Sequence, residues 1–295
     1  MRDVARRGLA VGFFDGVHLG HRAILERASA ALTFTNHPLS MIAPEKAPRL
    51  LMSVDGRVAA IRECGVEKVT ALDFTRELAG MSAEDFARAY LADAAKDGVV
   101  FCGENWRFGR GGTGDAALLR SMGFSAEVVP YAVYGGERIS STRIRAALEA
   151  GRVKDANAMM GREWSVRGKV FRGKGLGAGL GFPTVNIRPV GMELRIPRGV
   201  YKVSVGGACA MANYGVAPTF GEKAWDEPVL ELHFVDEPPM TSPGDEVSAS
   251  FRRFVRPERK FSSVDELKAQ IAADFVTVCL TSCPRANAGF LPRKE

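Results

Sequence analysis

The chain has 295 residues, 46% of them hydrophobic and 25% charged, which is typical of a soluble globular protein and excludes a disordered one. Its net charge of +6 suits an anionic ligand, but the basic residues are scattered, so we expect no nucleic-acid partner. No run approaches the roughly 20 apolar residues of a membrane span, and the start is a poor secretory signal. Five irregularly placed cysteines favour reduced thiols over disulfides. We therefore expect a cytoplasmic protein with no membrane partner.

Strands and helices alternate in the first half of the chain. Apolar runs predict strands over residues 9–14, 32–35, 66–72, 99–102 and 126–133. Helical spacing of apolar residues predicts helices over residues 21–30, 54–64, 82–91, 115–122 and 143–150. Such alternation indicates a mostly parallel, Rossmann-like sheet covered by helices on both faces.

Three segments that contain candidate site residues follow predicted strands, at residues 12–21, 103–115 and 139–145. Ligands of parallel sheets bind beyond the carboxyl ends of the strands, so this coincidence predicts one nucleotide site. In the first segment, His18 and His21 lie at a switch from strand to helix, between glycines. Glycines let the backbone approach a ligand, a helix start favours anionic oxygen, and imidazoles can donate hydrogen bonds to phosphate.

The second half has a different pattern, with successive strands and no helix between them. We predict strands over residues 164–172, 184–187, 199–205, 208–213, 230–235 and 245–255. This pattern predicts an antiparallel sandwich or barrel. A final helix opens at Ser263, and its apolar stripe is expected to pack on that barrel. The change of pattern predicts domains at residues 1–160 and 161–283, followed by a loose tail at 284–295.

Several motifs together resemble one known family. GFFDGVHLGH at residues 12–21, the pairs Thr33-Phe34 and His37-Pro38, and ISSTRIR at residues 139–145 resemble the first module of the bacterial bifunctional riboflavin kinase/FAD synthetases. GFPTVN at residues 181–186 and ELH at residues 231–233 resemble the kinase module of that family, in the expected order. The resemblance covers nearly the whole chain. It implies a nucleotidyltransferase fold followed by a β-barrel with a C-terminal helix.

The resemblance also implies two reactions. The second module would phosphorylate riboflavin from ATP to give FMN, and the first would transfer AMP from a second ATP to FMN, giving FAD and pyrophosphate. ATP is then a co-substrate, Mg²⁺ is the expected metal, and riboflavin, FMN and FAD are the other ligands. The oligomeric state is not predicted.

The family match assigns roles to residues of both modules. The catalytic residues would be His18, His21 and Glu231, with Glu231 as the general base for riboflavin. The metal ligands would be Thr184 and Asn186, two apart on one strand. The flavin would contact Asn105, Arg107 and Phe108. The nucleotide and phosphate residues would be Gly12, Phe13, Asp15, Gly16, Ser141, Thr142, Arg143, Arg145, Gly173, Lys174, Gly177 and Gly181.

Several assignments have a structural alternative. Phe108 could be ordinary core, the two arginines of ISSTRIR could lie on a solvated helix face, and the glycine-rich segment 173–181 could be a hairpin rather than a flap over ATP. The first crossover is short, and Gly112 stands where the family usually has a basic residue. These departures keep two other functions open: a riboflavin kinase whose first module binds nucleotide with little or no turnover, and a flavin- or nucleotide-binding regulator.

Overall fold

The computed structural model describes residues 8–93, 98–173, 184–192, 194–215, 229–235 and 239–279. The chain divides into two compact units, one of Met1–Ile144 with Met159–Gly161 and the other of Arg145–Ala158 with Arg162–Glu295. The domain boundary near residue 160 stays a prediction, and the proposed tail lies outside the described residues.

The first unit is built on a five-stranded parallel sheet. Its strands are β1 (Gly8–Val11), β2 (Ala30–Phe34), β3 (Lys68–Leu72), β4 (Val99–Gly103) and β5 (Ala126–Val129). They lie in the spatial order β3-β2-β1-β4-β5. Because the order reverses between β1 and β4, a crevice opens at the carboxyl ends of these strands, where such sheets bind ligands. The predicted Rossmann-like architecture is confirmed.

Helices cover both faces of this sheet. On one face lie α1 (Leu19–Leu25) and α3 (Val54–Glu63), and on the other lie α4 (Arg76–Gly80), α5 (Ala83–Phe86) and α6 (Ala116–Ser121), while α2 (Pro38–Ile42) follows β2 and has no buried residue. Later in the chain come α7 (Ser141–Glu149) and α8 (Val153–Met160), of which residues Arg145–Ala158 belong to the second unit. Alternate strand residues point to opposite faces, so Leu9 and Val11 enter one core and Ala10 enters the other. The short helices α2 and α4 and helix α8 were not predicted.

The first crossover is short but complete. Two turns of α1 connect β1 to its parallel neighbour β2, with Leu9 paired to Ala30. Gly112, in the loop after β4, has a φ of 67°, a left-handed conformation that favours glycine.

The strand predicted over residues 126–133 is two elements. β5 ends at Val129, and β6 (Val133–Tyr134) pairs with β7 (Glu137–Arg138) in a separate antiparallel hairpin. Pro130 follows β5 and has no N–H to donate to a ladder, so the strand ends there.

The second unit is a closed antiparallel barrel, which decides between the two predicted architectures. Its strands are β8 (Trp164–Phe171), β9 (Thr184–Pro189), β10 (Gly199–Val205), β11 (Ala208–Gly215), β12 (Val229–Phe234) and β13 (Glu246–Pro257). Around the barrel they run β10-β11-β12-β9-β8-β13, and pairing of β13 with β10 closes the ring.

Helix α9 (Val264–Cys279) packs against the barrel. Its start is capped by Ser263, whose Oγ accepts a hydrogen bond from the Glu266 amide at 3.1 Å. The apolar contacts of α9 with the barrel are made by Leu267, Ile271, Phe275 and Val278. Within the described part of the chain, no helix has both the length and the apolar character needed to cross a bilayer.

Candidate active sites

The turn at residues 12–21, which we call the two-histidine turn, follows β1 directly and has an unusual backbone. Phe14 and Val17 have φ values of 55° and 41°, in the left-handed region that non-glycine residues rarely occupy. Gly16, between them, has a φ of 85°. Such conformations cost about 1–3 kcal/mol each and persist where the surrounding structure enforces them, commonly at functional sites.

Two side-chain contacts hold this backbone. The Thr33 hydroxyl donates to the Phe13 carbonyl at 2.9 Å. The Leu51 amide donates to both carboxylate oxygens of Asp15, at 3.0 and 3.1 Å, and Asp15 is buried. This carboxylate, predicted to contact nucleotide, therefore fixes the conformation of the turn in the structure.

His18 has its tautomer set by the start of α1. Its Nδ1 accepts a hydrogen bond from the His21 amide at 3.2 Å, so the side chain caps the helix. Since Nδ1 accepts, the neutral ring carries its proton on Nε2 and can donate it to a ligand. Burial lowers the pKa of His18 to about 4, with a smaller contribution from the charge of Arg138.

The His21 ring stacks on the His18 ring, with centroids 3.6 Å apart and planes 17° from parallel. Burial lowers the pKa of His21 well below its ordinary value, and the charges of His18 and Arg57 add to that shift. Both histidines are thus neutral at pH 7. They supply hydrogen-bond donors, and the positive charge that phosphate chemistry needs must come from other residues.

Arg57, on α3, is a component of this region that the sequence interpretation missed. It is fully buried, lies 4.2 Å from the centroid of the Phe13 ring, and donates to the carbonyls of Phe34 and Thr35 at the end of β2. The sequence pattern could have indicated that Arg57 is buried, because this residue lies on the apolar face of α3. An arginine rarely lies on such a face unless it is paired.

We expect Arg57→Met to lower the free energy of unfolding by about 2–4 kcal/mol, because the strand carbonyls lose a buried charged donor. Urea-induced unfolding would measure the change. Arg62→Met is the matched control, since Arg62 is exposed on the same helix and its loss should change stability by less than ~0.5 kcal/mol. Equal stability of the two variants would contradict the role assigned to Arg57.

The ISSTRIR segment meets the two-histidine turn. The Ser141 hydroxyl donates to the Asp15 carbonyl at 2.9 Å, although 126 positions separate the two residues. The helix predicted over residues 143–150 begins two residues earlier, since α7 starts at Ser141 and Ser140 Oγ accepts from the Arg143 amide at 3.2 Å. Thr142 is exposed and Arg145 is partly buried on the same helix.

The Arg143 guanidinium, predicted to clamp the triphosphate, is engaged with the β6–β7 hairpin. Its Nη1 donates to the carbonyls of Tyr134 and Glu137 at 2.8 and 2.9 Å. Arg138 of the same hairpin lies 4.5 Å from the centroid of the Tyr131 ring and is exposed. Arg138 was not predicted as a site residue, and it supplies positive charge near His18.

The three predicted flavin contacts lie in the loop after β4, but their side chains differ in exposure. Asn105 and Arg107 are exposed at its surface. Phe108 is buried in the core and stacks on Trp106 with centroids 4.5 Å apart, which favours the core alternative for this ring.

The kinase residues lie on two adjacent barrel strands. The antiparallel register places Asn186 of β9 opposite Glu231 of β12, and Thr184 opposite His233. The Thr184 hydroxyl hydrogen-bonds to the Glu231 carboxylate, which lowers the pKa of Glu231, but burial is the larger effect and raises it overall. The predicted base and both predicted metal ligands therefore lie together on one face of the sheet.

Gly173 lies against the predicted metal ligand Asn186. A Cβ added at Gly173 would come within 2.1 Å of the Asn186 Nδ2 atom, so a side chain at this position would displace the Asn186 amide. Lys174, Gly177 and Gly181 lie outside the described residues.

The donor set of Thr184 and Asn186 fits a hard cation. A hydroxyl and an amide oxygen are ligands that Mg²⁺ accepts, and Mg²⁺ usually completes its octahedron with waters and substrate phosphates. No cluster of three or more histidine, cysteine or acidic residues suited to a metal occurs among the residues that the structure describes.

Two further residues on this face were not predicted as site residues. Asn213 of β11 is paired with Glu231 on the side away from Asn186. His233 is buried, its pKa is lowered to about 4 by burial, and its ring meets Phe275 of α9 edge-on at 6.3 Å. The pairing of β11 with β12, which brings Asn213 to this face, is not readable from either strand alone.

Known protein families match both parts of the chain. The sequence model of the FAD synthetase family matches residues 2–143, and that of the riboflavin kinase family matches residues 160–279. A bifunctional riboflavin kinase/FMN adenylyltransferase of Escherichia coli (strain K12) is 34% identical over 91% of this chain and 90% of its own length. The proteins of that description from Listeria monocytogenes and Bacillus subtilis are 32% and 29% identical, over 90% and 92% of this chain and 89% and 91% of their own lengths.

A solved structure has a similar fold. A chain described as a macrolide-efflux protein from Streptococcus pneumoniae superposes with a TM-score of 0.83 and 27% sequence identity. The superposition covers 95% of this chain and 96% of that one.

Proposed function

Since the chain belongs to the family of bifunctional riboflavin kinase/FMN adenylyltransferases, we propose that each of its two units carries out one of the family's two reactions. The second unit transfers the γ-phosphoryl group of ATP to the 5′-hydroxyl of riboflavin, giving FMN and ADP. The first unit transfers the AMP portion of another ATP to the phosphate of FMN, giving FAD and pyrophosphate. The observation that carries the assignment is that His18 and His21 stack at the switch point of the parallel sheet, while Glu231 faces Asn186 on the barrel.

Adenylyl transfer in the first unit relies on positioning and charge stabilisation. The FMN phosphate oxygen attacks the α-phosphorus of ATP, and the bond to pyrophosphate breaks. His18, with its proton on Nε2, and the stacked His21 donate hydrogen bonds to the phosphoryl oxygens as negative charge shifts to the leaving group. Because both imidazole rings are neutral and buried, no charged side chain has to lose its water when the nucleotide binds.

Other residues around the turn bind and orient the nucleotide. The backbone at Phe13 and Gly16 approaches the phosphates, while the Gly12 amide donates to the Leu32 carbonyl at 3.2 Å and, with Asp15, keeps this backbone in place. The positive charge comes from Arg138 and Arg145, with hydroxyls from Ser141 and Thr142. Asn105 and Arg107, exposed beyond β4, contact the flavin.

Phosphoryl transfer in the second unit starts from Glu231. Its carboxylate takes the proton of the riboflavin 5′-hydroxyl as that oxygen attacks the γ-phosphorus. A pKa raised by burial makes Glu231 a better proton acceptor than an exposed glutamate. Thr184 and Asn186 would hold Mg²⁺, which when bound neutralises charge on the ATP phosphates.

The flavin products of the purified protein test this function. Riboflavin, ATP and Mg²⁺ should give FMN and then FAD, separated by chromatography. FMN without FAD would show an inactive first unit, and unchanged riboflavin would refute both assignments. The domain boundaries and the cytoplasmic location belong to the same proposal.

The pH dependence of FMN formation should report Glu231. A general base must be deprotonated, so activity falls as the pH drops through its pKa, and burial moves that acid limb above the ordinary glutamate range. Thr184→Val should move the limb to still higher pH, because the hydroxyl that stabilises the carboxylate is lost.

Thr184→Ser is the matched control for that prediction, since it keeps the hydroxyl and with it the wild-type position of the limb. Weaker metal binding lowers the maximal rate, whereas the loss of this hydrogen bond shifts the limb. Measuring kcat/KM for FMN formation from about pH 4 to pH 8 separates the two effects. An unshifted limb in Thr184→Val would contradict the predicted contact with Glu231.

A further inference from the structure

The β6–β7 hairpin is too small to be stable by its own pairing. It has two residue pairs, Val133 with Arg138 and Tyr134 with Glu137. The connecting Gly135 and Gly136 have φ values of 60° and 81°, as tight hairpin turns require. An isolated two-stranded hairpin is marginal in water, and three of the four strand residues are exposed. Contacts from outside the hairpin must therefore hold it.

Arg143 provides those contacts from α7. Its Nη1 donates to the carbonyls of Tyr134 on β6 and Glu137 on β7, so one guanidinium joins both strands. The Arg138 carbonyl lies 3.4 Å from the same nitrogen, and Nε lies 3.3 Å from the Glu137 carboxylate. Hydrogen bonds from a charged donor are about twice as strong as neutral ones.

The base of the hairpin borders the two-histidine turn. The Ile139 amide donates to the Ala132 carbonyl at 2.9 Å and closes the base. A Cβ built on Gly20 of α1 would lie 3.8 Å from the Ala132 side chain and 3.3 Å from the His18 Nδ1 atom. Ala132 and the His18 ring therefore flank the same point. Arg138, the last residue of β7, precedes Ile139 and lies at this end of the hairpin.

We propose that Arg143 is a positioning residue for adenylyl transfer, which ties the hairpin together through its carbonyls and so holds Arg138 beside the two-histidine turn. The phosphates of ATP then meet the charge of Arg138, and Arg143 acts through that residue. This inference rests on the function proposed for the first unit. It replaces a direct clamp by Arg143, whose guanidinium is engaged by the hairpin.

A double-mutant cycle tests the coupling, with FAD formation from supplied FMN as the readout. Arg138→Ala and Arg143→Ala should each lower kcat/KM about 10- to 100-fold, and the double variant should be no worse than Arg138→Ala alone. The Michaelis constant for ATP should rise in both single variants. A mere loss of folded protein would leave that constant unchanged. Additive losses in the double variant would overturn the proposal.

A second variant loosens the hairpin without touching either arginine. A Cβ at Gly136 meets no atom within 4 Å, so Gly136→Val acts only through backbone strain at a positive φ. It should lower FAD formation in the wild-type background and have no effect in the Arg138→Ala background. An equal effect in both backgrounds would also overturn the proposal.

Matched controls separate this inference from the proposed function. Glu137→Gln removes only an ion pair whose acidic partner is 75% exposed and keeps the carbonyl, so activity should change less than about twofold. FMN formation by the second unit should stay at the wild-type rate in every variant, which excludes global misfolding. Absence of FAD formation in the wild type would refute the proposed function, whereas an active wild type with additive variants would refute the role of Arg143 alone.

Discussion

Replacement of His21 by alanine is expected to abolish FAD formation while FMN formation from riboflavin continues at the wild-type rate. The imidazole stacks on His18 and lies edge-on to Phe14 at 5.3 Å, so the variant loses a phosphate donor and the support of the neighbouring ring. Loss of one positioned donor typically costs about 10²- to 10³-fold, and disorder of His18 would add to that. Separate assays with riboflavin and with supplied FMN would measure the two rates.

His18→Asn separates catalysis from folding at the same turn. Asparagine is a good N-cap, so it can accept the His21 amide in place of Nδ1 and keep α1 stable. It has no donor at the position of Nε2, and FAD formation should fall with little change in thermal stability. Robust FAD formation by either histidine variant would contradict the assignment of this turn to adenylyl transfer.

Glu231→Gln is expected to produce the opposite result, loss of FMN formation with FAD formation from supplied FMN preserved. Glutamine keeps the size of the side chain and can accept a hydrogen bond from Thr184, but it cannot take a proton. A positioned general base typically contributes about 10²- to 10⁴-fold to a rate. The rate of FMN appearance from riboflavin and ATP measures the loss.

Glu246→Gln is the matched control on the same barrel, because Glu246 is exposed and pairs only with Arg167 at 3.5 Å among the described ion pairs. Its FMN formation should stay within about twofold of wild type, since exposed ion pairs contribute little. If Glu231→Gln and His21→Ala each lost both activities equally, the two sites would not be independent.

Local patterns predicted much of the fold because the structures they specify are themselves local. Apolar periodicity placed the sheet strands and barrel strands, and the hydroxyl of Ser263 marked a helix start that the structure confirms. The missed helices α2 and α4 have five residues each, too few for a periodic signal. Motif resemblance identified the family, which the relatives and family models confirm.

The chemistry of the sites depended on contacts that sequence patterns do not contain. The sequence predicts histidines suited to phosphate, but their neutrality results from burial, which only packing determines. Arg143 and Arg145 are equivalent in the motif, and only the position of the hairpin directs Arg143 to its carbonyls.

By itself, the amino-acid sequence determined the order of two architectures, the two-histidine turn, and the positions of Glu231 on one barrel strand and of Thr184 and Asn186, two residues apart, on another. Tertiary structure decided that the barrel closes, that Asn186 faces Glu231, and that Ser141 reaches Asp15 across 126 positions. Periodicity and caps involve residues within a few positions of each other. Strand register, burial and the partner of a charged side chain are set by residues far apart in the chain, so they exist only once the chain has folded.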